Sequence, residues 1–144
     1  MNKKGAVIII EDDEDDKVIL TEVFERLKHP NKILFFNNGQ KALDFLLKTS
    51  EIPFIILSDI NLPILSGFDL RNKLRIDAQL AIRCTPYLYL STSATPKMII
   101  EAYSASSQGF FLKGNTIAEV ERTISLIMDY WKQCAGPGPF PKAA

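Results

Sequence analysis

Short apolar runs alternate along this chain with longer amphipathic stretches. Residues 6–10 (AVIII) form a β-branched run that stops at a block of charge, the pattern of a buried strand. Over residues 15–28, Ile19, Leu20, Val23, Phe24 and Leu27 recur at helical spacing until His29 and Pro30 break the pattern. Residues 32–36 (KILFF) predict a second strand, and Ala42, Leu43, Leu46 and Leu47 give residues 40–48 an inward-facing helical stripe. A third strand is expected at residues 54–57, followed by a loop carrying Pro63 and Gly67 and a helix over 68–76. Residues 87–90 predict the fourth strand, with a helix over 97–105 opened by Pro96. Residues 109–112 predict the fifth. In the last helix, capped by Asn115 or Thr116, the core-facing residues Ile117, Val120, Ile124, Ile127 and Trp131 repeat at alternating three and four.

This is a strand followed by a helix five times over. Strands that read as unbroken apolar runs imply a parallel sheet covered on both faces, and right-handed crossovers make it a doubly wound α/β sandwich. Residues 1–134 are expected to form one domain. Residues 135–144, half of them Gly or Pro, are expected to be an unstructured tail.

Composition narrows the functions. The chain has 144 residues and balances 17 basic against 17 acidic side chains, which argues against a broad nucleic-acid-binding surface. No apolar run approaches the roughly 18–20 residues that cross a bilayer, and the apolar run near the N-terminus is too short for a signal peptide. Two cysteines, Cys84 and Cys134, are too few for a disulfide or zinc framework and read as inert thiols. A cytoplasmic protein is expected.

In an open α/β sheet, ligands sit outside the carboxyl ends of the strands. Those ends carry Glu11, Asp12 and Asp13 after the first strand and Asp59 after the third. Ser91 and Thr92 follow the fourth, and Lys113 the fifth. Crowded carboxylates repel unless a cation is present, and a hard divalent ion such as Mg²⁺ takes such oxygen ligands while keeping places for phosphate oxygens. A carboxylate beside it can attack phosphorus and form an aspartyl phosphate. A lysine and a hydroxyl then stabilise the transferred group. Within the acidic run over residues 11–16, Asp13, Glu14, Asp15 and Asp16 read instead as solvated or helix-capping charge. Gly109 and Gly114 have phosphate-loop spacing, but Asn115 follows where Lys-Ser/Thr is required.

Glu11-Asp12, Asp59 with Asn61, Pro63 and Gly67, then Ser91 and Lys113, resemble the receiver domain of two-component response regulators over almost the whole chain. The resemblance implies a flavodoxin-like (βα)5 fold with sheet order 2-1-3-4-5. It implies Asp59 as phosphoacceptor and Mg²⁺ held by Asp12, Asp59, Glu11 through water, and the backbone carbonyl of Asn61. Ser91 takes the place of the switch hydroxyl, Lys113 that of the phosphoryl-pairing lysine, and Phe110 that of the switch aromatic. Asn61 and Ser93 flank the site and would tune autodephosphorylation. The implied partners are a sensor histidine kinase or a histidine phosphotransfer protein, and a downstream protein target bound through the face between residues 97 and 131. The last-helix stripe also permits a homodimer. No nucleic acid or membrane partner is expected, and with no output domain in view the chain is expected to act as a stand-alone regulator.

Three positions depart from the family pattern. Gly114 stands where a proline with a cis bond is usual, Thr92 where a small Ala is usual, and Phe110 where Tyr is more common. Two alternatives share the acidic edge. A Mg²⁺-dependent phosphatase that forms an aspartyl phosphate needs a second acid two residues after the nucleophile, where Asn61 cannot supply a proton. A degenerate receiver, acting as a phosphorylation-independent adaptor, usually lacks one of the key residues, and none is missing here. A flavodoxin-like cofactor binder fails on charge, because the acids after the first strand repel a cofactor phosphate.

Overall fold

The computed structural model describes residues 1–136. Five parallel strands, β1 (Val7–Ile10), β2 (Ile33–Phe36), β3 (Ile55–Ser58), β4 (Tyr87–Ser91) and β5 (Gly109–Leu112), form one sheet in the order β2-β1-β3-β4-β5. The helices are α1 (Glu14–Leu27), α2 (Gly39–Lys48), α3 (Gly67–Asp77), α4 (Leu80–Arg83), α5 (Pro96–Ser104) and α6 (Ile117–Gln133). The doubly wound sandwich is therefore the one the patterning implies, with the flavodoxin-like sheet order that the resemblance implies. The single-turn α4 is an addition, because four residues carry too little periodicity to be read. Most of the expected tail, residues 137–144, lies outside the described residues.

Side chains of each strand alternate between two cores. Val7 and Ile9, Ile55 and Leu57, and Leu88 and Leu90 pack with Leu20, Val23 and Phe24 of α1 and Val120, Ile124 and Ile127 of α6. Ile8 and Ile10, Ile56, Tyr87 and Tyr89 pack with α2, α3 and α5 on the opposite face. Trp131 joins the first cluster as a half-buried member, so the last-helix stripe faces the core. His29, in the loop after α1, is half-buried. Five helices start at a side chain that caps their free amides: Asp13, Asn38, Ser66, Thr95 and Thr116.

Two features hold the turn after β3 in place. Gly67 lies against it so closely that a Cβ there would run into the Asp59 carbonyl oxygen and come 3.0 Å from Ser58 Oγ. Its own carbonyl accepts from both buried tyrosines, Tyr87 Oη at 3.1 Å and Tyr89 Oη at 3.2 Å. Beneath them the buried Arg71 guanidinium lies over the Tyr87 ring and donates from Nη2 to the Ser106 carbonyl (2.7 Å), tying α3 to the loop between α5 and β5. Among the described residues no helix is long and apolar enough to cross a membrane.

Gly67→Ala is expected to destabilise the fold by about 1–3 kcal/mol, because the obstructing atom is backbone and cannot swing aside. The midpoint of urea unfolding checks it. Burial pushes the Tyr87 and Tyr89 phenols well above the usual tyrosine range. Both stay neutral in the folded state while the unfolded chain ionises near pH 10, so their contribution is complete below that pH and lost as pH rises through it. The double variant Tyr87→Phe/Tyr89→Phe should lose less stability than wild type between about pH 9 and 11, in urea titrations at each pH.

Candidate functional site

Backbone pairing continues one residue past the strands and brings the polar residues into line. Glu11 N donates to the Phe36 carbonyl (2.9 Å), Asp59 N to the Ile10 carbonyl (3.0 Å) and Lys113 N to the Ser91 carbonyl (2.7 Å). Side chains from three strand ends therefore meet at one edge, although Glu11 and Lys113 are 102 residues apart.

The meeting point is an ammonium group. Lys113 Nζ donates to Glu11 Oε2 at 2.6 Å, Asp16 Oδ2 at 3.0 Å and Asp59 Oδ2 at 3.3 Å. The Lys113 and Glu11 side chains are only 8% and 3% exposed, so these contacts are poorly screened. Burial opposes the charge on Lys113, but its hydrogen bonds to Glu11 and Asp16 and the charges of Glu11 and Asp59 outweigh it, holding the ammonium above the usual lysine range. Burial raises the Glu11 carboxyl above its ordinary value, against the opposing pull of Lys113. Asp59 Oδ1 accepts from Ile60 N at 2.6 Å, which fixes the carboxylate plane.

Carboxylate oxygens of Glu11, Asp12 and Asp59 lie within 4.8 Å of one another, close enough to share one cation. The open cleft above them, about 440 Å³, is lined by seven carboxylates, by Thr92 and by Lys113 as its one basic group. The hard-oxygen donors and the surplus of negative charge suit a divalent ion of the Mg²⁺ class.

Asp16 corrects the sequence expectation. With its neighbours it reads as solvated or helix-capping charge, yet it is a direct partner of Lys113. Its one signal was position, a helical turn beyond Asp12 and on the same edge. Asp13 caps α1 as expected, accepting from Asp15 N and Asp16 N. The other sites named from the sequence stand further out. Ser91 Oγ donates to the Ser93 carbonyl (2.9 Å), and Asn61 and Ser93 are exposed outside the cleft lining. Phe110 is half-buried, its ring 6.0 Å from that of Tyr89.

This carboxylate–lysine edge belongs to a sequence that matches the response regulator receiver domain model over residues 7–125. The chain belongs to that family. Among curated relatives it is 26% identical to the probable methanogenesis regulatory protein FilR2 of Methanothrix harundinacea, over 92% of this chain and 88% of that one. It is 25% identical to the sensory/regulatory protein RpfC of Xanthomonas campestris, where it spans only 18% of the relative's length. The fold matches the phosphorylated cyanobacterial phytochrome response regulator RcpA at a TM-score of 0.82, with 20% identity over 92% of this chain and 96% of that one. The receiver domain of the Pseudomonas aeruginosa sensor kinase PA1611, with magnesium coordinated in its active-site cleft, matches at 0.69 with 21% identity over 88% and 97%.

A divalent ion shared by Glu11, Asp12 and Asp59 would compete with Lys113 for the charge of Glu11 and Asp59. Lys113→Ala should therefore bind Mg²⁺ more tightly, by about 5–10-fold, since a unit charge at 4 Å near a protein surface is worth up to about 4 kcal/mol before solvent relaxation. Isothermal titration calorimetry measures the change.

Proposed function

We propose that this receiver domain is a phosphoacceptor module, with Asp59 as the residue that carries the phosphoryl group. The observation that supports this is the placement of the Lys113 ammonium 3.3 Å from Asp59 Oδ2, beside a trio of carboxylates close enough to share a cation. In the transfer, a carboxylate oxygen of Asp59 forms a bond to phosphorus. The bond from phosphorus to an imidazole nitrogen of the donor breaks, and that nitrogen keeps the electron pair. Lys113 pairs with the transferred group, and the Ile60 amide orients the carboxylate through its other oxygen. Asp12, Asp59, the carbonyl of Asn61 and, through water, Glu11 would hold Mg²⁺, which when bound would neutralise charge on the phosphoryl oxygens.

Phosphorylation brings roughly −1.5 to −2 charges to an edge already short of cations. Ser91 then exchanges its bond to the Ser93 carbonyl for one to a phosphoryl oxygen, and Phe110 repacks against Tyr89, biasing the face built by α5, β5 and α6. The donor is a sensor histidine kinase or a histidine phosphotransfer protein, and the signal leaves by contact with a downstream protein. Asn61 and Ser93 set the lifetime of the adduct. The module works in the cytoplasm.

Incubation with acetyl phosphate and Mg²⁺, read by intact-protein mass, should show one phosphoryl adduct in wild type. It should be absent with EDTA and absent in Asp59→Asn. An adduct that persists in Asp59→Asn would place the acceptor elsewhere.

A further inference from the structure

We propose that Glu119 is a positioning residue for Lys113, its carboxylate and Cβ holding the loop between β5 and α6 so that the ammonium meets Asp59. The proposal rests on the phosphoacceptor reading and concerns how that site is kept in register without a proline after the lysine.

Lys113 projects from the junction of the sheet and this loop. On the sheet side its backbone is fixed by the bond from Lys113 N to the Ser91 carbonyl. On the other side stands Gly114, the residue type with the most backbone freedom, and every peptide bond among the described residues is trans. A four-carbon side chain reaches a fixed point only if its backbone is held. The structure supplies the missing restraint from α6. A Cβ on Gly114 would run into Glu119 Cβ and come 3.0 Å from Glu119 Oε2, so the Gly114 backbone is seated on the first helical turn. Glu119 Oε2 accepts from Asn115 N at 2.6 Å.

That bond is displaced from its usual place. Thr116 and Glu119 have the spacing of a capping box, and Thr116 Oγ1 does accept from Glu119 N at 3.2 Å. In the ordinary box the glutamate returns to the amide of the cap residue itself. Here it reaches one residue further out, to Asn115, and so restrains the loop. Asn115 is exposed, and water could satisfy its amide; the bond therefore acts on geometry more than on desolvation. Gly114 and Glu119 fit as a pair, because the close approach of one requires the absence of a side chain on the other.

The test compares Glu119→Ala, Glu119→Gln and Thr116→Ala, with Lys113→Ala and the double variant Lys113→Ala/Glu119→Ala. Each is measured for acetyl phosphate labelling rate at saturating Mg²⁺, for Mg²⁺ affinity by calorimetry and for urea midpoint. Glu119→Ala should slow labelling about tenfold or more, and Glu119→Gln, which keeps an acceptor oxygen, should restore it. Thr116→Ala loses a comparable helix cap but should label within about twofold of wild type. In the Lys113→Ala background, Glu119→Ala should change the rate by less than about twofold, the mark of two residues acting through one group. Equal slowing by Thr116→Ala, or full slowing by Glu119→Ala without Lys113, would overturn the proposal. If wild type forms no adduct, the phosphoacceptor reading has failed, and Mg²⁺ affinity decides the positioning alone. Tighter binding in Glu119→Ala, in the direction of Lys113→Ala, supports it, and wild-type affinity overturns it.

Discussion

The contact between the Lys113 ammonium and the carboxylates of Glu11, Asp16 and Asp59 is the constraint from which the rest of the site follows. Four acids, with Asp12, occupy the end of a sheet whose interior is apolar, and Glu11 is almost wholly removed from water. Unpaired, a buried carboxylate would take up a proton or open the structure. One lysine relieves the repulsion without removing it, and what remains favours a second cation. The residual charge is thus the property that makes the site receptive to a cation, and the same lysine would limit how tightly one is held.

That balance depends on position to within an ångström, and the fold supplies it from two directions. From below, Gly67 presses on the Asp59 carbonyl, while the hydroxyls of Tyr87 and Tyr89 converge on Gly67. From the side, α6 seats Gly114 and ties Asn115. Tyr89 also lies beside Phe110 and Phe68, so the element that supports the Asp59 turn shares a packing surface with the aromatic at the far edge of the sheet. A shift at either end must therefore be felt at the other, since a close-packed interior has few places to absorb it.

How far the residues foretold this differs by element. The parallel sheet was legible because β-branched runs such as the one around Ile8 and Ile9 bury both faces, and both-faced burial leaves no alternation to misread. The site was legible because acids and a lysine fell at strand ends, where helix dipoles and backbone ends leave room for ligands. Asp16 was not, since a run of six acids looks solvated until the fifth strand brings a lysine against it. The short α4 was not, because one turn has no period. Arg71 was not, because a charged residue in a helix reads as exposed until β4 places a tyrosine ring beneath its guanidinium.

By itself, the sequence determined what depends on local pattern: the order of the longer elements, the caps at Asp13 and Thr116, and the kinds of side chain delivered to the edge. Tertiary structure alone decided which of those side chains touch. Lys113 chooses Glu11, Asp16 and Asp59 across separations of 54 to 102 residues. Glu119 bonds a loop amide rather than its own cap, and Ser91 turns to Ser93. Such choices turn on differences of a few tenths of an ångström between competing partners, and these are set by how two helices pack on a twisted sheet, which no local spacing encodes.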